Sequence, residues 1–215
     1  MGVRLYGYWR SSASWRVRIG LGLKGVPYEA VAVHLVRDGG EQKKSDHLLR
    51  NPMAQVPVLE VEVDGRPVWI SQSLAILEYL DETIPEPPLF PAGALGRARA
   101  RMLAEIVNSG IQPLQNLTVT AMVGAMGGDT QTWTATFIRN GLTSLEALAR
   151  DTAGTFLVGD APTIADCCLA PQLYAARRFA VDLEPFPTLR AVEQACYELP
   201  AFQAAHADQQ PDAVR

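Results

Sequence analysis

Tyr8-Trp9-Arg10-Ser11-Ser12-Ala13-Ser14-Trp15-Arg16-Val17-Arg18 joins two periodicities. Before it, Val3-Arg4-Leu5-Tyr6 alternates apolar and polar side chains, as a short strand does; after it, Trp15, Ile19, Gly22 and Leu23 recur at helical spacing. The serines therefore stand at a strand-to-helix turn. Serine is favoured there because its hydroxyl accepts from a backbone N–H that the helix start leaves without a partner. Those same N–H groups, with the partial positive charge of the helix end, favour a nearby anion. Alone, the stretch fits a plain N-cap, the commoner case, as well as an anion site. The choice depends on the rest of the chain.

The helix is expected from Ser12 to Lys24, ending at Gly25-Val26-Pro27, a glycine C-cap with proline just beyond it. Tyr28 to Leu35 reads as a second strand, and a strand, a crossover helix and a strand make a βαβ unit with parallel strands. The polar segment from Asp38 to Asn51 reads as loop with room for one helical turn. Two apolar runs, from Pro57 to Val63 and from Pro67 to Ile70, flank Asp64-Gly65-Arg66 and predict an antiparallel hairpin. Ser71-Gln72-Ser73 then precedes a helix marked by Leu74, Leu77 and Leu80. The order βαβ then ββα is the thioredoxin-type arrangement, a small mixed sheet with helices on both faces.

Pro85-Glu86-Pro87-Pro88-Leu89-Phe90-Pro91 cannot continue a helix or a central strand, so residues 85–91 read as a linker between domains 1–84 and 92–215. The second half is expected to be all-helical, with helices near 95–109, 114–126, 130–150, 163–179 and 188–198 and a polar, frayed tail from His206. Within it, Thr163-Ile164-Ala165-Asp166 is a capping box with Asp in place of the usual Glu, a folding signal rather than a chemical one.

At 215 residues, 48% hydrophobic and with a net charge of −4, the chain reads as a soluble globular protein of one large or two small domains. A mildly acidic surface argues against a nucleic-acid partner. No apolar run is long enough to span a membrane, and no signal peptide is apparent. Cys167, Cys168 and Cys196 form no C-x-x-C pair and cannot all be bridged, which fits a reducing, cytoplasmic setting. His34, His47 and His206 lack metal-ligand spacing, so no metal is expected. Trp9, Trp15 and Trp69, with Cys167 and Cys168, are assigned to packing.

A thioredoxin-like α/β half, a proline-rich linker and an all-α half together resemble a cytosolic glutathione transferase. Within that superfamily, Ser11 to Arg18 resembles the zeta-class motif, a pair of serines, a cysteine, then Ser-Trp-Arg-Val-Arg. Asn51-Pro52-Met53-Ala54-Gln55-Val56-Pro57, Gln72-Ser73-Leu74-Ala75-Ile76, Gly110-Ile111-Gln112-Pro113-Leu114-Gln115-Asn116-Leu117 and Arg178-Phe179-Ala180-Val181-Asp182-Leu183 are similar to that class in the same order. One departure matters: Ala13 replaces the class's cysteine, so no mixed disulfide can form at that position.

The resemblance implies glutathione as cofactor, with Ser11 holding the thiolate and Ser12, Ala13 and the helix start beside it. It places a cis proline at Val56-Pro57, with the backbone there pairing with the cysteinyl part of glutathione. Gln72 and Ser73 would take the γ-glutamyl carboxylate, although Ser73 also reads as a helix cap. Gln42 would meet the glycyl end, and Gln112 and Asn116 would approach from the second domain or a neighbouring subunit. Arg10 and Arg178 would grip a dicarboxylate keto acid substrate, whereas Arg177 reads as a solvated helix face. The implied activity is cis-trans isomerisation of a maleyl keto acid, maleylacetoacetate or maleylpyruvate, to its fumaryl isomer, by a homodimer. Two rivals use the same residues: a transferase conjugating or dehalogenating small α-halo acids, and a non-catalytic glutathione-binding module.

Overall fold

The computed structural model describes residues 2–214. The chain packs as two compact units, Met1–Leu89 with Leu199–Arg215, and Phe90–Glu198.

In the first unit, β1 (Arg4–Gly7), β2 (Glu29–Ala32), β3 (Val58–Val63) and β4 (Arg66–Ser71) form a sheet of order β2-β1-β3-β4. β1 runs parallel to β2 and antiparallel to β3, and β3 pairs with β4 through the expected hairpin. The register sets Leu5 opposite Leu59 and Leu59 opposite Ile70. Because side chains alternate across a strand, these residues share one face. There Leu5, Leu59 and Val61 bury against Val17 and Leu21 of α1 (Ser12–Leu23) and Ile76 and Leu80 of α3 (Ser73–Thr83). α1 approaches α3 so closely that a Cβ added at Gly20 would lie 2.2 Å from Leu77 Cδ2, so any larger residue would force the Leu77 side chain to move.

The other face carries Tyr6, Val33 and Val58, with the Arg50 guanidinium 4.4 Å from the Tyr6 ring centroid. Arg50 ends α2 (Ser45–Arg50), which forms inside the segment read as loop. On this face Trp69 is 41% exposed and donates through Nε1 to Glu60 at 2.7 Å. It is therefore not the core residue expected, unlike the buried Trp9 and Trp15. That hydrogen bond, with Tyr6 and Arg4 assisting, holds the Glu60 carboxyl below the usual carboxylate range against partial desolvation.

The proline-rich segment is tied to this unit as far as Leu89. Buried Lys24 donates to Asp81 at 2.9 Å and to the Ile84 and Pro87 carbonyls at 2.6 Å each, while Asp81 accepts from the Leu89 N–H at 2.6 Å. The tail expected to fray is ordered instead. Its Ala207 is buried in a 3-10 turn, Ala207–Gln209, and just before it α9 (Pro200–Ala205), a helix the sequence reading did not assign, packs on α1 with Phe202 and Ala205 buried. Its mixed apolar spacing is too short to signal a helix, and α1 supplies the missing partner surface.

In the second unit, α7 (Ile164–Arg178) is the central helix, buried along nearly its whole length. It contacts α4 (Ala94–Glu105), α6 (Thr130–Ala149) and α8 (Pro187–Tyr197). Its start is the capping box: Asp166 accepts from the Thr163 N–H at 2.7 Å and from the Thr163 hydroxyl at 2.9 Å, and Thr163 accepts from Ala165 N–H at 3.2 Å. Asp166 also accepts from Leu157 N–H at 2.8 Å, joining the preceding loop to the helix. Glu146, buried on α6, takes the Thr188 and Leu189 N–H groups at 3.2 and 3.1 Å, and so completes the start of α8. After α4 the chain widens into a π-helical turn, Ile106–Ile111, before α5 (Leu117–Ala125). Cys167, Cys168 and Cys196 are buried and in no disulfide. No helix among the described residues is long and apolar enough to cross a membrane.

Candidate active site

Ser11 is the N-cap of α1, its backbone extended (φ −65°, ψ 117°) and its Oγ accepting from the Ser14 N–H at 3.2 Å. The hydroxyl proton stays available for donation, so the same side chain can cap the helix and bind an anion. Ser11 N–H is taken by Tyr8 O at 3.0 Å and Trp15 N–H by Ser11 O at 2.9 Å. Among the described residues the N–H groups of Ser12 and Ala13 have no acceptor, which is the usual deficit of a first helical turn. Two amides and one hydroxyl thus converge where the helix dipole is positive. Arg10, half-buried beside them, lies with its guanidinium 5.2 Å from the Trp9 ring centroid.

A second helix start lies in the same unit. Gln72, the residue before α3, takes φ 71° and makes no side-chain cap bond. Ser73 is not a cap either. Its buried Oγ accepts from Arg16 Nη1 at 3.1 Å, a link from α1 to the start of α3. Arg16 is wholly buried, a role that its place in a run of alternating arginines does not announce.

Between the two helix starts runs the turn before β3. Asn51 donates through Nδ2 to Gln55 O at 2.9 Å, and His47 Nε2 donates to the same carbonyl at 2.9 Å, which fixes the ring's tautomer. Val56–Pro57 is cis, and neither the N–H nor the C=O of Val56 has a protein partner among the described residues. Gln72 Nε2 lies 3.6 Å from Met53 Sδ, tying this turn to α3. Gln42 is buried in a 3-10 turn; its Nε2 donates to Leu35 O at 3.2 Å and its Oε1 has no hydrogen-bond partner. Sequence reasoning missed Asn51, His47 and Arg16, because what identifies them is the carbonyl or hydroxyl each one holds.

The first unit therefore assembles Arg10, Ser11, Ser12, Ala13, Gln42, Val56, Pro57, Gln72 and Ser73 on connected turns. A cavity of about 530 Å³ at another part of the sheet, near Arg4, Glu29 and Glu60, includes none of them. An exposed strand-like backbone edge at Val56, flanked by two helix N-termini, matches an extended peptide with one anionic group at an end and another on its central residue. Glutathione has that form, with a γ-glutamyl carboxylate and a thiolate.

The remaining predicted residues belong to the second unit. Asn116 caps α5, accepting from Thr118 N–H at 2.9 Å. Gln112, just past the π-helical turn, donates to Gln172 Oε1 at 3.4 Å. Gln172 is wholly buried and exchanges hydrogen bonds with Gln115 at 3.3 and 3.2 Å. Arg178, in the last turn of α7, lies with its guanidinium 5.6 Å from the Phe179 ring centroid. Arg177 is not merely solvated: it forms a two-pronged ion pair with Glu193, and this bond raises its pKa further.

The N-terminal part of the chain, residues 1–82, matches the family model of the glutathione S-transferase N-terminal domain, and residues 134–195 match that of the glutathione S-transferase C-terminal domain. The chain belongs to the glutathione S-transferase family. Among relatives of this transferase, maleylacetoacetate isomerase of Rattus norvegicus is 49% identical over 208 residues, 97% of this chain and 94% of the relative. Maleylacetoacetate isomerase of Anaeromyxobacter dehalogenans 2CP-1, whose crystal structure has glutathione bound in the active site, superposes with a TM-score of 0.91 at 57% identity, covering 99% and 98% of the two chains. The same protein has also been solved with dicarboxyethyl glutathione and citrate in the active site. A maleylpyruvate isomerase described as a bacterial zeta-class glutathione S-transferase superposes with a TM-score of 0.91 at 43% identity, covering 98% and 100%. The transferase thus belongs with the zeta-class isomerases, as its motifs indicated.

Proposed function

We propose that this transferase is a glutathione-dependent cis-trans isomerase whose substrate is maleylacetoacetate, converted to its fumaryl isomer. The maleylacetoacetate isomerases at 49% and 57% identity support that substrate, while the maleylpyruvate isomerases, at 40–45%, fall within the 37–57% that the maleylacetoacetate isomerases span, so the test below runs both. The observation that carries the activity is the pair of unpartnered N–H groups at Ser12 and Ala13 beside the Ser11 hydroxyl, in a chain whose relatives bind glutathione. Glutathione, when bound, supplies a thiolate that adds reversibly to the maleyl double bond, making it single long enough to rotate, and leaves unchanged.

The chain's own residues hold and orient the reactants. Ser11 donates its hydroxyl to the sulfur while still accepting from Ser14 N–H, and Ser12 and Ala13 add their amides. Val56 pairs with the cysteinyl backbone, Gln72 and Ser73 hold the γ-glutamyl carboxylate, and Gln42 meets the glycyl end. Gln112 and Asn116 contribute further glutathione contacts. Arg10 and Arg178 grip the substrate carboxylates, since a guanidinium binds a carboxylate with two parallel hydrogen bonds. A thiol of pKa ~8.5 lowered by about two units gains at most ~30-fold in thiolate at neutral pH. Most of the rate must therefore come from placement and from stabilising charge that develops on the keto group. Ala13 does not obstruct this route, because the attacking sulfur belongs to glutathione.

A cytoplasmic homodimer is part of the same reading. The test follows the ultraviolet spectrum of maleylacetoacetate, and separately of maleylpyruvate, with protein in the presence and absence of glutathione, and assays total glutathione at the end. Isomerisation only with glutathione, none of it consumed and maleylacetoacetate the faster substrate, is the expected result. Consumption of glutathione would replace the isomerase with a conjugating transferase, and no reaction above the glutathione-only control would leave a binding module.

A further inference from the structure

The turn that carries Arg10 and Ser11 is held in place by the far end of the chain. Arg18 lies two helical turns after Ser11, on the same side of α1, and is only 5% exposed. Its Nη2 donates to Trp9 O at 2.9 Å, its Nη1 to Tyr8 O at 3.5 Å, and its Nε to Ala205 O, at the end of α9, at 3.1 Å. From the opposite side, Trp9 N–H donates to Asp212 Oδ2 at 3.1 Å. Residue 9 is thus gripped at its carbonyl by Arg18 and at its amide by Asp212. Tyr8 O, the other carbonyl that Arg18 holds, is also the acceptor for Ser11 N–H.

The tail that delivers Asp212 is firmly seated. The Trp15 ring packs edge-on against His206 with centroids 4.8 Å apart, and a Cβ added at Gly22 would come within 3.1 Å of Ala201 Cβ. Burying a guanidinium is costly, and burial brings Arg18 down to about 10, with Tyr28 and Asp212 acting in the opposite direction. It remains charged at neutral pH. What the rigid fork of N–H donors provides in return is orientation: one plane fixes carbonyls from two distant segments at once.

We propose that the segment from Leu199 onward is a brace for the Tyr8–Ser11 turn, with Arg18 and Asp212 as positioning residues that set where Arg10 and the Ser11 hydroxyl stand. Neither touches glutathione or substrate; both act through the turn. The catalytic half of this inference rests on the isomerase reading above. A displacement of roughly 1 Å at a reacting group can cost about a hundredfold in rate, so a brace outside the contact residues has leverage on turnover.

The test uses the full-length protein with Asp212→Ala and Asp212→Asn, since Asp212 is part-exposed and its loss leaves the core intact. Hydrogen–deuterium exchange of the peptide spanning Tyr8 to Ser14 should show the Trp9 amide exchanging about tenfold faster in Asp212→Ala, the scale of one lost hydrogen bond. In the same variant kcat should fall by about tenfold while KM for glutathione stays within about twofold, because Val56, Gln72 and Ser73 hold the tripeptide independently of this turn. Asp212→Asn keeps an acceptor oxygen and should restore both readouts. Unchanged exchange in Asp212→Ala would overturn the brace, and faster exchange with unaltered kcat would overturn its positioning role. Equal losses in the Ala and Asn variants would overturn the hydrogen bond as its cause. Should the wild-type protein lack isomerase activity, the functional reading fails, and the exchange measurement still decides whether the brace exists.

Discussion

Replacing Ser11 with alanine separates its two tasks. The side chain caps α1 by accepting from Ser14 N–H at 3.2 Å, and its proton is free to bind the glutathione sulfur. Losing an N-cap costs about 1 kcal/mol, which in a protein of this size lowers Tm by roughly 2–4 °C. Losing a hydrogen bond to an ionised acceptor costs about 1.5–3 kcal/mol, equivalent to about 10- to 100-fold in kcat if the bond is made in the transition state. The Ser12 and Ala13 amides remain in the variant, so turnover should be reduced rather than abolished. Glutathione affinity should change by less than about threefold, because the two carboxylate ends and the cysteinyl backbone are held elsewhere. The assay is isomerase turnover at saturating glutathione beside calorimetric titration with glutathione and a thermal melt, with Ser11→Thr as the control that keeps an oxygen. If kcat and affinity fall by the same factor, Ser11 only anchors the ligand; if the melt shifts but turnover does not, Ser11 is a cap and nothing more.

Asp166→Ala strips the acceptor from two backbone N–H groups and the Thr163 hydroxyl and should cost about 3–5 kcal/mol in denaturant unfolding of the second unit; a loss under 1 kcal/mol would mean the box is dispensable. Burial, opposed by those three donors, raises the Asp166 carboxyl from 3.8 to about 6. The folded state therefore binds its proton more tightly than the unfolded chain. The resulting stability is fully present below about pH 4 and is lost as the pH rises through about 6. Asp166→Asn should flatten that part of the stability–pH curve, and an identical slope in the variant would count against the raised pKa. Lys24→Met leaves Asp81 buried without its ammonium partner and should destabilise by about 3–5 kcal/mol, whereas adding Asp81→Leu should recover part of the loss but not all, because the Ile84 and Pro87 carbonyls and the Leu89 N–H also lose their partners; a double variant no better than the single one would show that the pair is not energetically coupled. Arg178→Ala should raise KM for the dianionic substrate by about tenfold with kcat within about twofold, as expected for one lost carboxylate contact. An unchanged KM removes Arg178 from substrate binding.

Local signals make much of this protein legible in its sequence alone. Alternation in Val3 to Tyr6, the helical spacing after Trp15 and the Asp64-Gly65 turn are read within a few residues, and they place β1, α1 and the β3–β4 hairpin correctly. The capping box at Thr163 and Asp166 is equally local, and Thr163 accepts from the Ala165 N–H as well as from the amide three residues on. Ser11 as the start of α1 and the motif around it were legible for the same reason. What sequence could not disclose is which buried group each polar side chain serves. Arg16 and Arg18 sit in one short motif, yet one reaches Ser73 and the other reaches Ala205, 187 residues away. Ser73 reads as a cap and is instead an acceptor for that arginine. The tail reads as polar and frayed because its apolar residues are few, and it is ordered because α1 offers them a surface. Helix, strand and cap are decided by neighbours along the chain, whose backbone geometry is the same in any fold. The partners of a buried arginine, a docked tail or an isolated glutamine are decided by desolvation, which demands an acceptor or a donor wherever in space the folded chain can supply one.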